Sequence, residues 1–366
     1  MPANGIRLRS VQRAHEMNEV RIGDERCGIV RVGDGRGVAV MAEIGINHDG
    51  SVERALELVD LAAESGADLV KFQYIDPPSM VHRGRMPELF DLYSRYTLEL
   101  DGYGKIIERC RKRGVPFVCT VFDADGAARM AELGTAAFKV ASCDMTHLPL
   151  LKSLASWKLP VILSTGLADL AEVRASVRTL KRAGCKTPVL LHCLSRYPAP
   201  PDSLNLTAML HMRRKLRLPV GFSDHSEGIL APALAAGLGA VMVEKHFTYD
   251  PAADGPDHAL SLGPEQFAAM VRQIRLAGQM RGNGRKVPAA VEKEERTVGR
   301  RGFYLARDVR QGERVRLDDL VALKPWTTAG PSELGLLRGK IYSRNLAAGA
   351  PLTADDFVTG DSQSKD

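Results

Sequence analysis

The sequence predicts an α/β protein, a (β/α)8 TIM barrel followed by a small β-rich domain. Two observations carry this prediction. Short apolar runs alternate with helical patterns eight times, the count that closes a parallel barrel rather than leaving an open sheet. The last part of the chain then turns to short strands and turns without helical periodicity. With 366 residues, of which 45% are hydrophobic, the chain can bury more than one core.

Residues 1–37 read as an N-terminal extension and barrel-closing segment, and the barrel is expected over residues 38–281. Its first strand lies in "GVAVMAEIG", and "SVERALELVDLAAES" follows with apolar residues at three and four spacing, the mark of an amphipathic helix. Seven more runs follow: "ADLVKFQ", "VPFVCTVF", "TAAFKVAS", "LPVILSTG", "TPVLLHC", "LPVGFSDH" and "AVMVEKHF". Helical patterns such as "LAEVRASVRTLKRAG" and "PEQFAAMVRQIRLAG" separate them. The longest gap, from Tyr74 to Val115, reads as an extended loop able to cover a site.

Beyond the eighth unit, residues 282–296 are charged, broken by Gly and Pro and poor in large apolar residues, as a linker is. The small domain is expected over 297–358, where "DVRQGERVRLDDL" and "NLAAGAPLTADDF" form an internal repeat. Residues 359–366 have the composition of a disordered tail.

Composition excludes several classes of function. The net charge of +6 arises from 50 basic residues scattered among 44 acidic ones, with no long basic run, so nucleic acid is not an expected partner. No signal-peptide-like or membrane-spanning apolar segment appears, which predicts a cytoplasmic protein with no membrane partner. The six cysteines show no CxxC pair, so reduced thiols are the default there. Walker A, GxGxxG and HExxH motifs are absent.

Catalytic residues of such a barrel gather at the carboxyl ends of its strands. The predicted rim holds Glu43; Lys71 and Gln73; Thr120; Lys139 and Ser142; Ser164; His192 and Ser195; Ser223, Asp224 and His225; Glu244 and His246. Two lysines among hydroxyls make an anion cradle, since ammonium groups supply charge and hydroxyls satisfy the remaining oxygens. A single serine is more often a turn cap, but convergence from six strands favours phosphate or carboxylate binding. His225 and His246 end consecutive strands, with Asp224 and Glu244 beside them, and are candidates to share one divalent cation such as manganese, cobalt, iron or zinc. Such an ion is a Lewis acid for a carbonyl.

In order along the chain, "AEIGINHDGS", "GADLVKFQ", "FKVAS", "VILSTG", "LLHC", "GFSDHS", "EKHFT" and "GPDHALS" resemble the motifs of the N-acetylneuraminate (sialic acid) synthase family, which includes legionaminic and pseudaminic acid synthases. The resemblance covers nearly the whole chain, and the last part resembles the family's antifreeze-like (SAF) domain. It implies condensation of phosphoenolpyruvate with the open-chain aldehyde of an N-acylated amino sugar, giving a nonulosonic acid and phosphate. By resemblance, Lys71, Thr120, Lys139, Ser142, Ser164 and Ser223 hold phosphoenolpyruvate, and His225 and His246 hold the metal, Mn2+ first, with Mg2+ or Co2+ as alternatives. Gln73, Tyr197 and Asp257 hold the sugar, and Glu43 takes the catalytic position. The family's domain-swapped homodimer is implied as well.

Some positions depart from the family pattern. Val121 stands where proline is common, Cys143 where glycine is common, and Ser195 where a longer asparagine faces the phosphate group. The terminal-domain motif reads "LKPW", so Lys324 replaces an arginine that touches the sugar's N-acyl group and cannot make the same forked contact. The acceptor can therefore differ from N-acetylmannosamine. Two other readings compete: an aldolase using Lys71 or Lys139 as a Schiff base, and a non-catalytic carbohydrate-binding protein.

Overall fold

The computed structural model describes residues 19–359, which divide into two compact units between Asn283 and Gly284. In the first, a hairpin of β1 (Val20–Asp24) and β2 (Gly28–Val32) precedes eight parallel strands. These are β3 (Ala39–Gly45), β4 (Leu69–Gln73), β5 (Phe117–Thr120), β6 (Ala137–Val140), β7 (Val161–Ser164), β8 (Val189–Cys193), β9 (Val220–Asp224) and β10 (Met242–His246). They close in chain order, with β10 returning to pair with β3, as the eight apolar runs predict.

Strand alternation divides the apolar residues into two cores. Val40, Ala42 and Ile44 face the helices, in the layer that also holds Phe72, Phe138 and Phe222. Ala39 and Met41 face inward, packing with Leu69, Val118, Ile162 and Met242. The β1–β2 hairpin adds Val20, Ile22 and Val32 to this inner core. Glu43 follows Met41 by two residues, so it continues the inward face at the strand's far end.

The helices begin and end where local chemistry dictates. Ser51 accepts a hydrogen bond from the Arg54 amide at the start of helix Val52–Glu64, and Asp169 caps helix Leu170–Arg182 in a reciprocal box with Glu172. Gly114 ends helix Leu100–Arg113 at φ 70°, a left-handed conformation that favours glycine. Among the described residues no helix is long and apolar enough to cross a membrane.

One expectation is corrected. The Tyr74–Val115 gap is not an extended loop: Pro77 and Pro87 each open a helix, Pro77–Met80 and Pro87–Arg95, ahead of Leu100–Arg113. Proline's fixed φ suits the first turn, where its missing N–H has no partner to lose.

The second unit has its own core around Phe303, Leu305, Tyr342 and Leu352. Strand β11 (Gly302–Leu305) pairs with β12 (Leu320–Leu323), and β13 (Lys340–Tyr342) with β14 (Phe357–Thr359). The internal repeat has a structural counterpart. Arg307 Nε donates to buried Asp319 at 2.7 Å, and Arg344 Nε donates to buried Asp356 at 2.8 Å, each across twelve residues. Val309 and Leu346, one from each copy, exchange backbone hydrogen bonds of 2.9 and 3.0 Å. Part of the 282–296 segment is helical, with Lys293–Gly299 forming a short exposed helix once Gly and Pro are past. Residues 1–18 of the expected 1–37 extension and residues 360–366 of the expected 359–366 tail lie outside the described residues.

Candidate active site

At the carboxyl ends of the strands lies a cavity of about 450 Å³. Glu43, Lys71, Gln73, Thr120, Lys139, Ser164, Ser223 and His246 reach it from the strands, and Ser142, Ser195, Tyr197, His225 and Asp257 from the loops beyond them. Lys324 belongs to the second unit and is exposed there.

The floor is a chain of buried charges. Lys71 Nζ lies 2.7 Å from Glu43 Oε2 and 3.9 Å from Glu244 Oε2, and donates to Thr120 Oγ1 at 2.9 Å. Lys139 Nζ stands 3.5 Å from Glu244 Oε1, which also accepts from Ser223 Oγ at 2.7 Å. Burial works against every charge here, and the charges work for each other. For Lys71 the two carboxylates win and its pKa rises; for Lys139 desolvation wins over Glu244 and its pKa falls. Desolvation opposes ionisation of Glu244, yet Lys139, Lys71 and Ser223 together hold it below the usual carboxylate range. Two ammonium groups and two carboxylates are thus fixed within one water-poor space, where removing either sign leaves the other exposed to a steep penalty.

Next to the lysines, serine hydroxyls meet around a glycine. Gly166 donates its amide to Ser142 Oγ at 3.1 Å, and Ser142 Oγ lies 3.0 Å from Cys193 Sγ. A Cβ on Gly166 would sit 2.3 Å from Ser195 Oγ and 2.8 Å from Ser142 Oγ. The space that glycine leaves, with Ser164 Oγ buried and unbonded nearby in the same cavity, suits the oxygens of a small anion.

On the opposite side, a register shift between Glu43 and Gly45 lets Gly45 take φ 56°. A Cβ there would meet Glu43 Oε1 at 3.2 Å and both Asp257 Oδ2 and Gln73 Nε2 at 3.4 Å. Gln73 donates to Glu43 Oε1 at 2.9 Å. These three polar groups therefore converge on one spot beside the catalytic candidate.

His225 and His246 lie with ring centroids 5.7 Å apart. His225 Nδ1 is 2.8 Å from the Leu194 carbonyl, which fixes the proton on Nδ1 and leaves Nε2 as a lone-pair donor. Desolvation lowers both imidazole pKa values, that of His246 to about 4, so both rings are neutral near pH 7. His246 Nδ1 is buried without a hydrogen bond, 3.7 Å from Asp257 Oδ2. Neutral, adjacent imidazoles with unused nitrogens fit a borderline divalent cation. Among the described residues no group of three or more His, Cys, Asp or Glu side chains is arranged to hold a metal ion.

Two residues of the predicted rim point elsewhere. Asp224 neighbours inward-facing Ser223 and so turns outward, where its Oδ2 pairs with Lys245 Nζ at 2.6 Å and its Oδ1 accepts from Ser226. His192 likewise turns outward, its Nε2 2.8 Å from the Leu204 carbonyl. Both follow from period-two alternation, which a list of strand-end residues ignores. The structure adds Glu244 to the charge network; its inward parity relative to His246 was the available signal. Leu89, Leu92 and Tyr93 from helix Pro87–Arg95 form one cavity wall, and nothing in the sequence pattern distinguishes them.

The chain is similar to several known proteins. An N,N'-diacetyllegionaminic acid synthase of Legionella pneumophila is 38% identical over 86% of this chain and 92% of its own length. The protein MJ1065 of Methanocaldococcus jannaschii is 37% identical over 84% of this chain and 90% of its own. The crystal structure of an N-acetylneuraminic acid (sialic acid) synthetase from Leptospira borgpetersenii, with citrate, superposes with a TM-score of 0.70 at 32% identity, covering 76% of this chain and 95% of that one. A SAF domain model matches residues 300–358. The NeuB family model matches residues 58–286, the stretch that carries all but the first strand of the barrel, and with these likenesses it shows that the chain belongs to the NeuB family.

Proposed function

We propose that the protein is a phosphoenolpyruvate-dependent synthase that joins the enol carbon chain to the aldehyde of an N-acylated amino sugar, giving a nonulosonic acid and inorganic phosphate. The observation that carries this reading is the meeting of Lys71, Lys139 and the serine cradle with Glu43 and two neutral imidazoles in one cavity. In the reaction, C3 of phosphoenolpyruvate forms the new bond to the aldehyde carbon, and the aldehyde oxygen takes up a proton. Water then adds at C2, losing a proton, and the C2 hydroxyl gives up its second proton to form the ketone as the C2–O bond to phosphate breaks and phosphate leaves.

Each residue has a task in that sequence. Lys71 and Lys139, with Thr120, Ser142, Ser164, Ser195 and Ser223, hold the anionic groups of phosphoenolpyruvate, because ammonium and hydroxyl donors match phosphate and carboxylate oxygens. Gln73, Tyr197 and Asp257 orient the acceptor next to Glu43. Glu43, 2.7 Å from Lys71 and 2.9 Å from Gln73, is the group placed to move a proton between water, sugar hydroxyl and solvent. His225 and His246 would hold a divalent ion, Mn2+ first and Mg2+ or Co2+ next, which would supply a Lewis acid for the aldehyde oxygen.

The acceptor is an amino-sugar aldehyde, and Lys324 in the SAF domain argues for one whose N-acyl group is not read by an arginine fork. The reading includes a cytoplasmic homodimer in which the SAF domain of one copy covers the barrel of the other. Leu230 and Leu234 on one helix and Leu276 and Met280 on the helix paired with it are half or more exposed, which favours a second copy, and light scattering tests this.

The test of function is phosphate release from phosphoenolpyruvate with manganese and a panel of N-acylated amino sugars, with product mass measured. A mass equal to acceptor plus pyruvate supports the reading; no release with any acceptor overturns it. The lowered pKa of Lys139 favours one rival, an aldolase with Lys139 as a Schiff base. Borohydride trapping of pyruvate on Lys139, without phosphate chemistry, would establish that rival instead.

A further inference from the structure

Resting on the reading above, we propose that His258 is a positioning residue: it clasps the loop after β3 to the loop after β10 and so sets Asp257 in the acceptor subsite. His258 is wholly buried and lines no part of the cavity. Its two ring nitrogens join different segments. Nε2 lies 2.9 Å from Asp49 Oδ1, in the turn that follows Glu43, and Nδ1 lies 2.6 Å from Thr248 Oγ1, two residues beyond His246. A carboxylate only accepts, so Nε2 carries a proton toward Asp49.

The surroundings fix each partner in turn. Tyr249 donates its hydroxyl to Asp49 Oδ2 at 3.2 Å, and the Arg54 guanidinium covers the Tyr249 ring at 3.8 Å. The loop closes tightly on the imidazole, since a Cβ on Gly255 would lie 2.5 Å from His258 Cδ2. Asp257 immediately precedes His258, and a second tie holds it from the other side. Asn47 Nδ2 donates to the Phe247 carbonyl and to Ser261 Oγ, both at 2.9 Å, and Ser261 Oγ donates to the Asp257 carbonyl at 2.5 Å. Both ties run between the same two loops, and those loops carry Glu43 at one end and Asp257 at the other.

The consequence is specific to one substrate. Asp257 faces Gln73 and Glu43 around Gly45, whereas no hydrogen bond of the clasp reaches Lys71, Lys139 or the serines of the phosphate cradle. Loosening the clasp misplaces Asp257 and leaves the lysines and serines as they are. A misplacement near 1 Å is enough to reduce turnover by up to about 100-fold.

The experiment measures acceptor KM, phosphoenolpyruvate binding by direct titration and thermal midpoint for His258→Ala, His258→Gln and Thr248→Val. Thr248→Val keeps the shape and removes the hydroxyl; His258→Gln restores a donor toward Asp49. The expected result is an acceptor KM raised by roughly 10-fold or more in His258→Ala and Thr248→Val, within the range that misplacement produces. Phosphoenolpyruvate binding stays within about twofold, and His258→Gln recovers part of the acceptor affinity, as replacing one of two hydrogen bonds should. If His258→Ala does not fold, Thr248→Val and His258→Gln decide the matter. Unchanged acceptor KM in a folded variant, or equal weakening of both substrates, overturns the clasp alone. A wild-type protein inert with every acceptor overturns the synthase reading, and the clasp's role falls with it.

Discussion

Glu43 and Lys71 face each other across neighbouring strands, 2.7 Å apart and both almost wholly buried. Their register is fixed by the β3–β4 ladder, which pairs these two residues directly. A buried pair of this kind is poor evidence for stability, because desolvation offsets much of the attraction. Its placement at the floor of the cavity argues for chemistry instead.

Glu43→Gln keeps the shape and the contact with Gln73 but removes the proton acceptor. Turnover should fall by ~100-fold or more, the range for loss of a positioned proton-transfer group. Phosphoenolpyruvate should bind as well as before or better, since one negative charge beside Lys71 is gone. Steady-state rates and a binding titration check both halves; unchanged turnover would make Glu43 structural.

The two lysines should differ in what their loss does. Lys139→Met removes one charge-assisted contact and should weaken phosphoenolpyruvate binding by about 10- to 100-fold. Lys71→Met also strands Glu43 and Glu244 as buried carboxylates, so its unfolding free energy should fall by about 3–5 kcal/mol. Lys139→Met leaves Glu43 paired and Glu244 with Lys71 and Ser223, so it should lose less; denaturant titration separates the two variants, and equal stabilities would mean that losing Lys71 strands no more charge than losing Lys139.

For the metal, added manganese should raise the thermal midpoint of the chelator-treated protein and leave that of His225→Ala or His246→Ala unmoved. Chelation should abolish condensation, and manganese should restore it. Full activity after exhaustive metal removal would end this part of the proposal.

Gly166→Ala should fill the cradle. The new methyl lands within 3 Å of three side-chain atoms, so Ser142, Cys193 or Ser195 must turn away. Overpacking of this kind costs about 1–3 kcal/mol of stability, and turning Ser142 or Ser195 out of the cradle removes a hydrogen bond to the anion, which predicts phosphoenolpyruvate affinity lower by roughly 10-fold with acceptor KM little changed. Unaltered phosphoenolpyruvate affinity would place the anion elsewhere.

The barrel was legible because its eight runs repeat one physical pattern, and Met41 and Glu43 share a face through alternation alone. The cavity lining was legible where a charged or imidazole side chain stands at or just past a strand's carboxyl end, as with Lys71, Lys139, His225 and His246. Asp224 misled for a physical reason: next to Ser223 it must point to the helices, and its charge is consumed by Lys245. The 74–115 segment misled because apolar residues such as Leu89 and Leu92 on a short amphipathic helix look alike whether they line a core or a cavity. Packing of that helix decides between them, and packing is a long-range property.

His48 gives a prediction about acid stability. Burial lowers its pKa from 6.5 to about 4, with only partial relief from Asp49. The folded protein therefore holds the neutral ring while the unfolded chain protonates it near pH 6.5, so unfolding takes up a proton between those values. The stability associated with neutral His48 is complete above about pH 6.5 and is lost as pH falls toward 4, amounting to on the order of 2 kcal/mol by pH 5. His246 shifts in the same direction, so the measurement belongs with metal present throughout or absent throughout. His48 Nδ1 accepts from the Gly50 amide at 3.1 Å, while Nε2 is buried without a partner. In His48→Asn the amide oxygen can accept that same N–H, and no proton is taken up. Denaturant midpoints at pH 7 and pH 5 should therefore differ less in His48→Asn than in the wild type. The gap should narrow on the acid side, with the pH 7 value changed little. An equally steep acid loss in both proteins would show that other groups, not this imidazole, set the acid limb.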